Sequence, residues 1–295
     1  MSAIAAGILL LDKPVGLSSN AALQRVRRLA GRIKAGHCGS LDPLASGMLP
    51  ICLGEATRLA GELLEGRKAY RFGLRLGERS ATGDAEGEIV ERCAVPPLSP
   101  ADVEQVLARF LGSQTQVPPM YSALKRDGTP LYRLARAGLT VERQPRAITV
   151  VELRLLRAVG AELELRVLCS KGTYVRVLAE DIARALGTCG RLQSLRREYV
   201  EPFAADPLVA LEQLEATALP DWPLLRADRA VEHLPALRLD AAQAQALTRG
   251  QVIALPQAAA ERWRLYDPSA RFLGLGQSED GWLRVQRLFS APLPL

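Results

Sequence analysis

The chain has 295 residues, 48% hydrophobic and 24% charged, enough apolar material for a folded core in one or two domains. A formal net charge of +6 admits a polyanionic partner, while no apolar run reaches the length of a membrane span or resembles a signal peptide. The five cysteines (Cys38, Cys52, Cys93, Cys169, Cys189) form no CxxC pair and have no histidine at zinc-finger spacing, so they read as reduced thiols of a cytosolic protein.

In chain order, residues 7–11 read as a buried strand, stopped by Lys13-Pro14 and a turn at Gly16. Ser18, Ser19 or Asn20 can cap a helix in which Leu23, Val26 and Leu29 recur at helical spacing. A Gly- and Pro-rich loop follows, then a strand over 48–53 and a helix near 55–64. Tyr70, Phe72, Leu74 and Leu76 alternate as in a half-buried strand, and residues 82–87 are turn chemistry. Ser99-Pro100 opens a helix to about Phe110, and residues 117–121 hold too much proline for a central strand. Two strands, 148–156 and 163–169, flank a turn at Gly160, and a helix runs from about Tyr174 to Leu186. Strands joined by tight turns predict an α+β fold with a mixed, largely antiparallel sheet. Residues 202–235 read as helical then linking. Beyond about residue 232 a short helix capped by Asp240 and Gly-punctuated strands predict a second, small β-rich domain.

The chemistry concentrates in residues 36–47, Gly36-His37-Cys38-Gly39-Ser40-Leu41-Asp42-Pro43-Leu44-Ala45-Ser46-Gly47. Regular elements avoid this composition, so the run is a shaped loop, a common place for chemistry. Taken singly, Asp42 before Pro43 reads as a turn, Tyr70 as core, His37 as a loop hydrogen-bonder and Arg176 as a helix surface charge. No P-loop, strand-linked GxGxxG, HExxH or GxSxG occurs, and with two histidines a His-based metal site lacks ligands. An ionised carboxylate, by contrast, can act as a nucleophile without a partner base, with a nearby Arg holding it charged. Basic side chains cluster at 19–34 (Arg25, Arg27, Arg28, Arg32, Lys34) and at 120–146. Only five of the 38 basic residues are lysine (13, 34, 68, 125, 171), a hint that those sites favour a compact ammonium.

Ordered together, Gly7 to Pro14 with Gly16-Leu17-Ser18-Ser19, the 36–47 loop, Lys68-Ala69-Tyr70-Arg71, Pro118 to Lys125, Cys169 to Arg176 and Leu195-Arg196-Arg197 resemble the TruB-type tRNA pseudouridine synthases. The resemblance covers essentially the first 200 residues. The Pro118-Pro119-Met120-Tyr121-Ser122-Ala123-Leu124-Lys125 block favours the stand-alone bacterial enzymes over guide-RNA-dependent relatives. The tail, with Ala246-Leu247 and Gly250-Gln251, is similar to a PUA-type RNA-binding module. One departure is Cys38, where the family pattern more often has Thr or Ser.

The resemblance implies a pseudouridine synthase domain over 1–231, with an insertion near 115–146 contacting RNA, and a PUA-like domain over 232–295. It implies Asp42 as nucleophile, Tyr70 stacked under a flipped uracil, and Arg176 paired with Asp42. His37 would enter the RNA loop, Tyr174 and Leu195 would line the pocket, and Lys13 and Pro14 would shape its floor. Lys125 is expected on the RNA. The implied reaction is isomerisation of uridine 55 in the T loop of tRNA, with no cofactor, no metal, no guide RNA and no membrane, by a cytoplasmic monomer. Two rivals from other classes are an RNA-binding protein with a vestigial motif and the catalytic subunit of a guide-RNA particle.

Overall fold

The computed structural model describes residues 6–204, 206–255 and 260–293. Strand β1 (Ala6–Lys13) has Gly7 to Leu11 buried without interruption, as an apolar run covered on both faces must be. The Ser18 hydroxyl then caps α1 (Ser19–Leu29), accepting from Ala21 N at 3.1 Å. β2 (Ala35–His37) and β3 (Ala45–Gly54) follow, and a 3-10 turn over Glu55–Leu59 leads into α2 (Ala60–Glu65). β4 (Lys68–Leu76) buries Phe72, Leu74 and Leu76 on one face, as the alternation predicts.

A two-stranded ribbon, β5 (Glu78–Ser80) with β6 (Ile89–Arg92), projects beside the sheet. The Ser99–Asp102 capping box starts α3 (Pro100–Ala108), and β7 (Gly112–Gln116) ends where the prolines begin. The 115–146 stretch contains a small ribbon, β8 (Lys125–Arg126) with β9 (Thr129–Pro130), and the short α4 (Leu131–Arg136). After the hairpin β10 (Arg146–Val159) and β11 (Glu162–Cys169) come α5 (Val175–Ala185), β12 (Gly190–Val200), β13 (Val209–Ala210) and α6 (Leu211–Ala216).

The main sheet runs β13-β1-β3-β12-β4-β11-β10-β7, with β2 paired on β3. Only the β1–β13 and β3–β12 pairs are parallel, so the sheet is mixed and largely antiparallel, as expected. β12, at its centre between β3 and β4, is a strand that the sequence reading leaves unassigned. Its pairing with β4 slips at Leu192/Ser194 and Arg197/Tyr199, and each bulge breaks the alternation that would reveal a strand. The 202–235 stretch is also less helical than expected, holding α6 and two 3-10 turns.

A second sheet is built from β14 (Ala236–Arg238), β15 (Ile253–Ala254), β16 (Arg262–Tyr266), β17 (Phe272–Glu279) and β18 (Trp282–Leu293), with α7 (Ala241–Thr248) between its first two strands. Tyr266, Phe272, Leu275 and Phe289 join Ile8, Cys52, Ala56 and Val200 in one apolar cluster. Arg262 closes the junction with a fork onto Glu62 of α2, at 2.7 and 3.2 Å.

The reading of five reduced thiols needs correction. Cys93 and Cys189 form a disulfide, while Cys38, Cys52 and Cys169 are free and buried. The pair lies 96 residues apart in sequence, and both partners bond the Gly77 backbone: Cys93 N donates to Gly77 O, and Gly77 N donates to Cys189 O. Topology brings them together, which spacing alone does not show.

Two local devices lead to tests. At Gly47 (φ +98°) a Cβ would sit 2.2 Å from Arg197 O across the β3–β12 ladder, whereas at Gly16 (φ +88°) it would meet nothing within 4 Å. Gly16→Ala should therefore cost only the conformational penalty, about 1 kcal/mol, and Gly47→Ala at least about 2 kcal/mol more through steric strain, as read by urea unfolding. The second device is Lys68. Its Nζ donates to the Leu63, Leu64 and Gly66 carbonyls at the C-terminus of α2, at 3.3, 2.7 and 2.6 Å. Burial, with Arg197 nearby, lowers its pKa from 10.5 to about 8. Between those values the unfolded chain binds more protons than the folded one, so stability contributed by Lys68 rises with pH across that window. The stability of the native chain relative to Lys68→Met should grow by on the order of 2 kcal/mol between pH 7.5 and 10 in urea titrations.

Candidate active site

The Asp42 loop is held at fixed points before any ligand arrives. The Ser19 hydroxyl, buried at the start of α1, accepts from Leu41 N at 2.7 Å and donates to Leu41 O at 3.0 Å. Gly16 N donates to Pro43 O, Ala45 N to Asp42 O, and Cys38 N to Pro50 O. Beneath lies Lys13, fully buried, whose Nζ donates to Pro14 O at 2.8 Å and Leu17 O at 2.6 Å. Lys13 and Pro14 therefore shape the turn behind the loop, and neither lines the cleft onto which Asp42 opens, whose floor they were expected to shape.

Arg176, in the first turn of α5, is not the surface charge that its helix position suggests. It is 5% exposed, and its Nε reaches Asp42 Oδ2 at 3.1 Å. Nη1 donates to Thr82 O at 3.0 Å and Nη2 to Tyr121 O at 2.5 Å, with Asp84 Oδ2 3.6 Å from Nη1. A guanidinium with every side engaged has one orientation, so it fixes the carboxylate that it holds. The 43% exposed Asp42 side chain opens onto a cleft of about 580 Å³, within the usual range for ligand sites.

Tyr70, Tyr174, Leu195, Asp42 and Arg176 all line this cleft, so the structure brings together five sequence-predicted positions from β4, β12, α5 and two loops. Leu195 lies opposite Ala45 on β3 and Phe72 on β4, in the middle of the sheet. Gln116 grips the Tyr174 backbone, donating to its carbonyl at 3.1 Å and accepting from its N–H at 2.8 Å. His37 and Lys125 are placed elsewhere. His37 lies half-buried on β2 opposite Ile51, outside the cleft lining, with its Nδ1 buried and unpartnered. Lys125 is exposed on the β8–β9 ribbon, one residue beyond Leu124, which does line the cleft.

Several lining residues, Lys68 and Arg197 among them, received no site role in the sequence reading. Lys68 and Arg197 form part of the cleft wall although each is nearly inaccessible to solvent. For Lys68 the scarcity of lysine was a usable signal. For Arg197 the available signal was its place two residues after Leu195 in a stretch already singled out.

The electrostatics follow from this burial. Burial raises the Asp42 carboxyl above its ordinary range; Arg176 and Lys13 pull it back, while the Asp84 charge pushes it further up. Lys13 is lowered to about 8, first by burial, against the attraction of Asp42. Burial raises both Tyr70 and Tyr174, and it lowers His37, assisted by Arg197. The result is a carboxylate facing a fixed cation at a largely apolar cleft with two tyrosines in its wall. Among the described residues no group of three or more His, Cys, Asp or Glu could hold a metal, and no helix is long and apolar enough to cross a membrane.

Residues 27–175 match the model of the TruB family pseudouridylate synthase N-terminal domain. Residues 176–225 match the tRNA pseudouridylate synthase B C-terminal domain, and 235–289 match the pseudouridine synthase II TruB C-terminal model. The tRNA pseudouridine synthase B of Aromatoleum aromaticum is 50% identical over 289 residues, covering 96% of this chain and 92% of that protein. The protein of the same name from Nitrosococcus oceani is 48% identical over 289 residues, covering 96% and 94%. A solved Cbf5-Nop10-Gar1 complex contains a chain 25% identical with TM-score 0.73, over 97% of this chain and 85% of that one. The chain thus has the pseudouridine synthase fold and belongs to the TruB family of pseudouridylate synthases.

Proposed function

We propose that this chain converts uridine 55 in the T loop of tRNA to pseudouridine, with Asp42 as the nucleophile acting on a base flipped into the cleft. The observation that carries this reading is the Asp42–Arg176 pair, 3.1 Å apart, at a cleft walled by Tyr70, Tyr174 and Leu195. The reaction conserves every atom. The bond from N1 of the base to the sugar breaks, the base turns, and C5 bonds the same sugar carbon. The C5 proton then leaves, its electron pair restores the C5–C6 double bond, and N1 takes up a proton. The carboxylate forms a covalent bond to the nucleotide as the base is detached, and that bond breaks again once the base is rejoined through carbon, returning Asp42 as a free carboxylate. No electrons are gained or lost, so the chemistry asks for no redox partner.

Tyr70 offers its ring to stack on the extruded base, and Tyr174 with Leu195 closes the pocket around it. Extrusion costs about a few kcal/mol, offset by stacking of about 1–3 kcal/mol per base and by pocket contacts. His37, on the strand before the Asp42 loop, enters the RNA loop and keeps the base out of its stack. Lys125, with Arg126, Arg133 and Arg136 exposed along the same insertion, takes phosphates, so binding weakens steeply with salt. The β-rich domain over 232–295 adds PUA-like RNA contacts to the synthase domain over 1–231. The enzyme acts as a monomer on tRNA alone, without a guide RNA, in the cytoplasm where its substrate is found.

Replacing Asp42 by Asn removes the nucleophile at nearly constant shape. Asp42→Asn should abolish pseudouridine formation while leaving tRNA affinity within about tenfold of wild type, measured by tritium release from 5-tritiated uridine and by filter binding. Appreciable turnover by the variant would remove Asp42 from the mechanism.

A further inference from the structure

Arg196 and Arg197 are neighbours on β12 with opposite fates. Arg196 forks onto Asp12 at 2.8 and 2.9 Å and is 44% exposed. Arg197 is 1% exposed, heads the fully buried side chains by volume, and pairs with no carboxylate among the described residues. An unpaired buried cation costs several kcal/mol, so its retention at the cleft wall calls for an explanation.

Its contacts supply one. Nε donates to Met48 O at 2.7 Å and Nη2 donates to Gly39 O at 3.1 Å. Gly39 stands three residues before Asp42, and Met48 six after it, so one planar group grips both flanks of the Asp42 loop. Arg197 stands directly opposite Tyr70 across the β12–β4 ladder, so both side chains leave the same face of the sheet, and its charge works against the upward pull of burial on the phenol. Gly39 makes room for the guanidinium, because a Cβ there would sit 3.3 Å from Nη1. The guanidinium holds its N–H donors in a rigid planar fork, so its two bonds fix the spacing of the carbonyls they join, whereas a lysine ammonium is a compact point charge on a flexible stem.

We infer that Arg197 is a positioning residue: it sets the distance and angle between Tyr70 and Asp42 by tying the phenol to both flanks of the Asp42 loop. This rests on the isomerase reading above. Arg197 touches no reacting atom and acts through Tyr70 and the loop backbone. Its loss should therefore slow the bound reaction rather than weaken RNA binding, since displacing a reacting group by about 1 Å costs about 100-fold.

Arg197→Met would leave two buried carbonyls unsatisfied and endanger folding, so Arg197→Lys, which keeps the charge and loses the fork, carries the test. Single-turnover rates, KM and tRNA affinity are measured for wild type, Arg197→Lys, Tyr70→Phe and the double variant, with folding read by circular dichroism. Arg197→Lys should lower the rate about 10- to 100-fold with KM and affinity within about threefold. In the Tyr70→Phe background the same change should cost at least about threefold less than in wild type, because the phenol is already gone and only the hold on the Asp42 loop is lost. Equal cost in both backgrounds, or a loss confined to KM and affinity, overturns the role of Arg197 while leaving the isomerase reading intact. Wild-type protein that forms no pseudouridine overturns that reading itself.

Discussion

A single buried cation organises this molecule. Arg176 is taken out of water by the sheet and by the 115–146 insertion, and a lone guanidinium there would be expensive. Asp42, Asp84 and the carbonyls of Thr82 and Tyr121 offset that cost together. These partners come from three separate parts of the chain, so meeting the electrostatic demand of one side chain brings the Asp42 loop, the 82–84 turn, the insertion and α5 to one point. Stability and chemistry share this constraint: the geometry that makes the cation tolerable also leaves a carboxylate oriented at the edge of a cleft.

The sheet supplies the rigid frame. β3 and β12 run parallel side by side, so Leu195 sits beside Ala45 just after the Asp42 loop, while the β4 partner of β12 delivers Tyr70 from the other flank. Gly47 lets β12 approach β3 closely enough for Arg197 to reach back under the loop. The second sheet shares a core with the first through Tyr266, Phe272 and Phe289, and Arg262 ties it to α2. Lys68 bonds the carbonyls at the end of α2 and lines the cleft, so the two sheets and the site meet along one helix.

Much of this was legible in the amino-acid order. The spacing of Leu23, Val26 and Leu29, the alternation from Tyr70 to Leu76 and the Ser99-Pro100 helix start are local signals, and local physics decides them. Asp42 stood out because its loop composition excludes regular structure, and the ordered motifs gathered Tyr70, Tyr174, Arg176 and Leu195 around it. What stayed hidden depends on the third dimension. β12 lost its alternation to two bulges, and the Cys93–Cys189 pairing is set by strand order across 96 residues. The burial of Arg176 and Arg197 is invisible because an arginine on a helix or strand reads as a solvated charge until its partners arrive from elsewhere in the chain.

On the proposed reading, one carboxylate and one cleft suffice to isomerise a uridine in folded RNA. The most direct test is to incubate the purified wild-type chain with an unmodified tRNA transcript, without cofactor or guide RNA, and to map pseudouridine at nucleotide resolution. The account predicts a single modified position, in the T loop. Salt-sensitive binding with no pseudouridine formed, or modification scattered along the transcript, would contradict it.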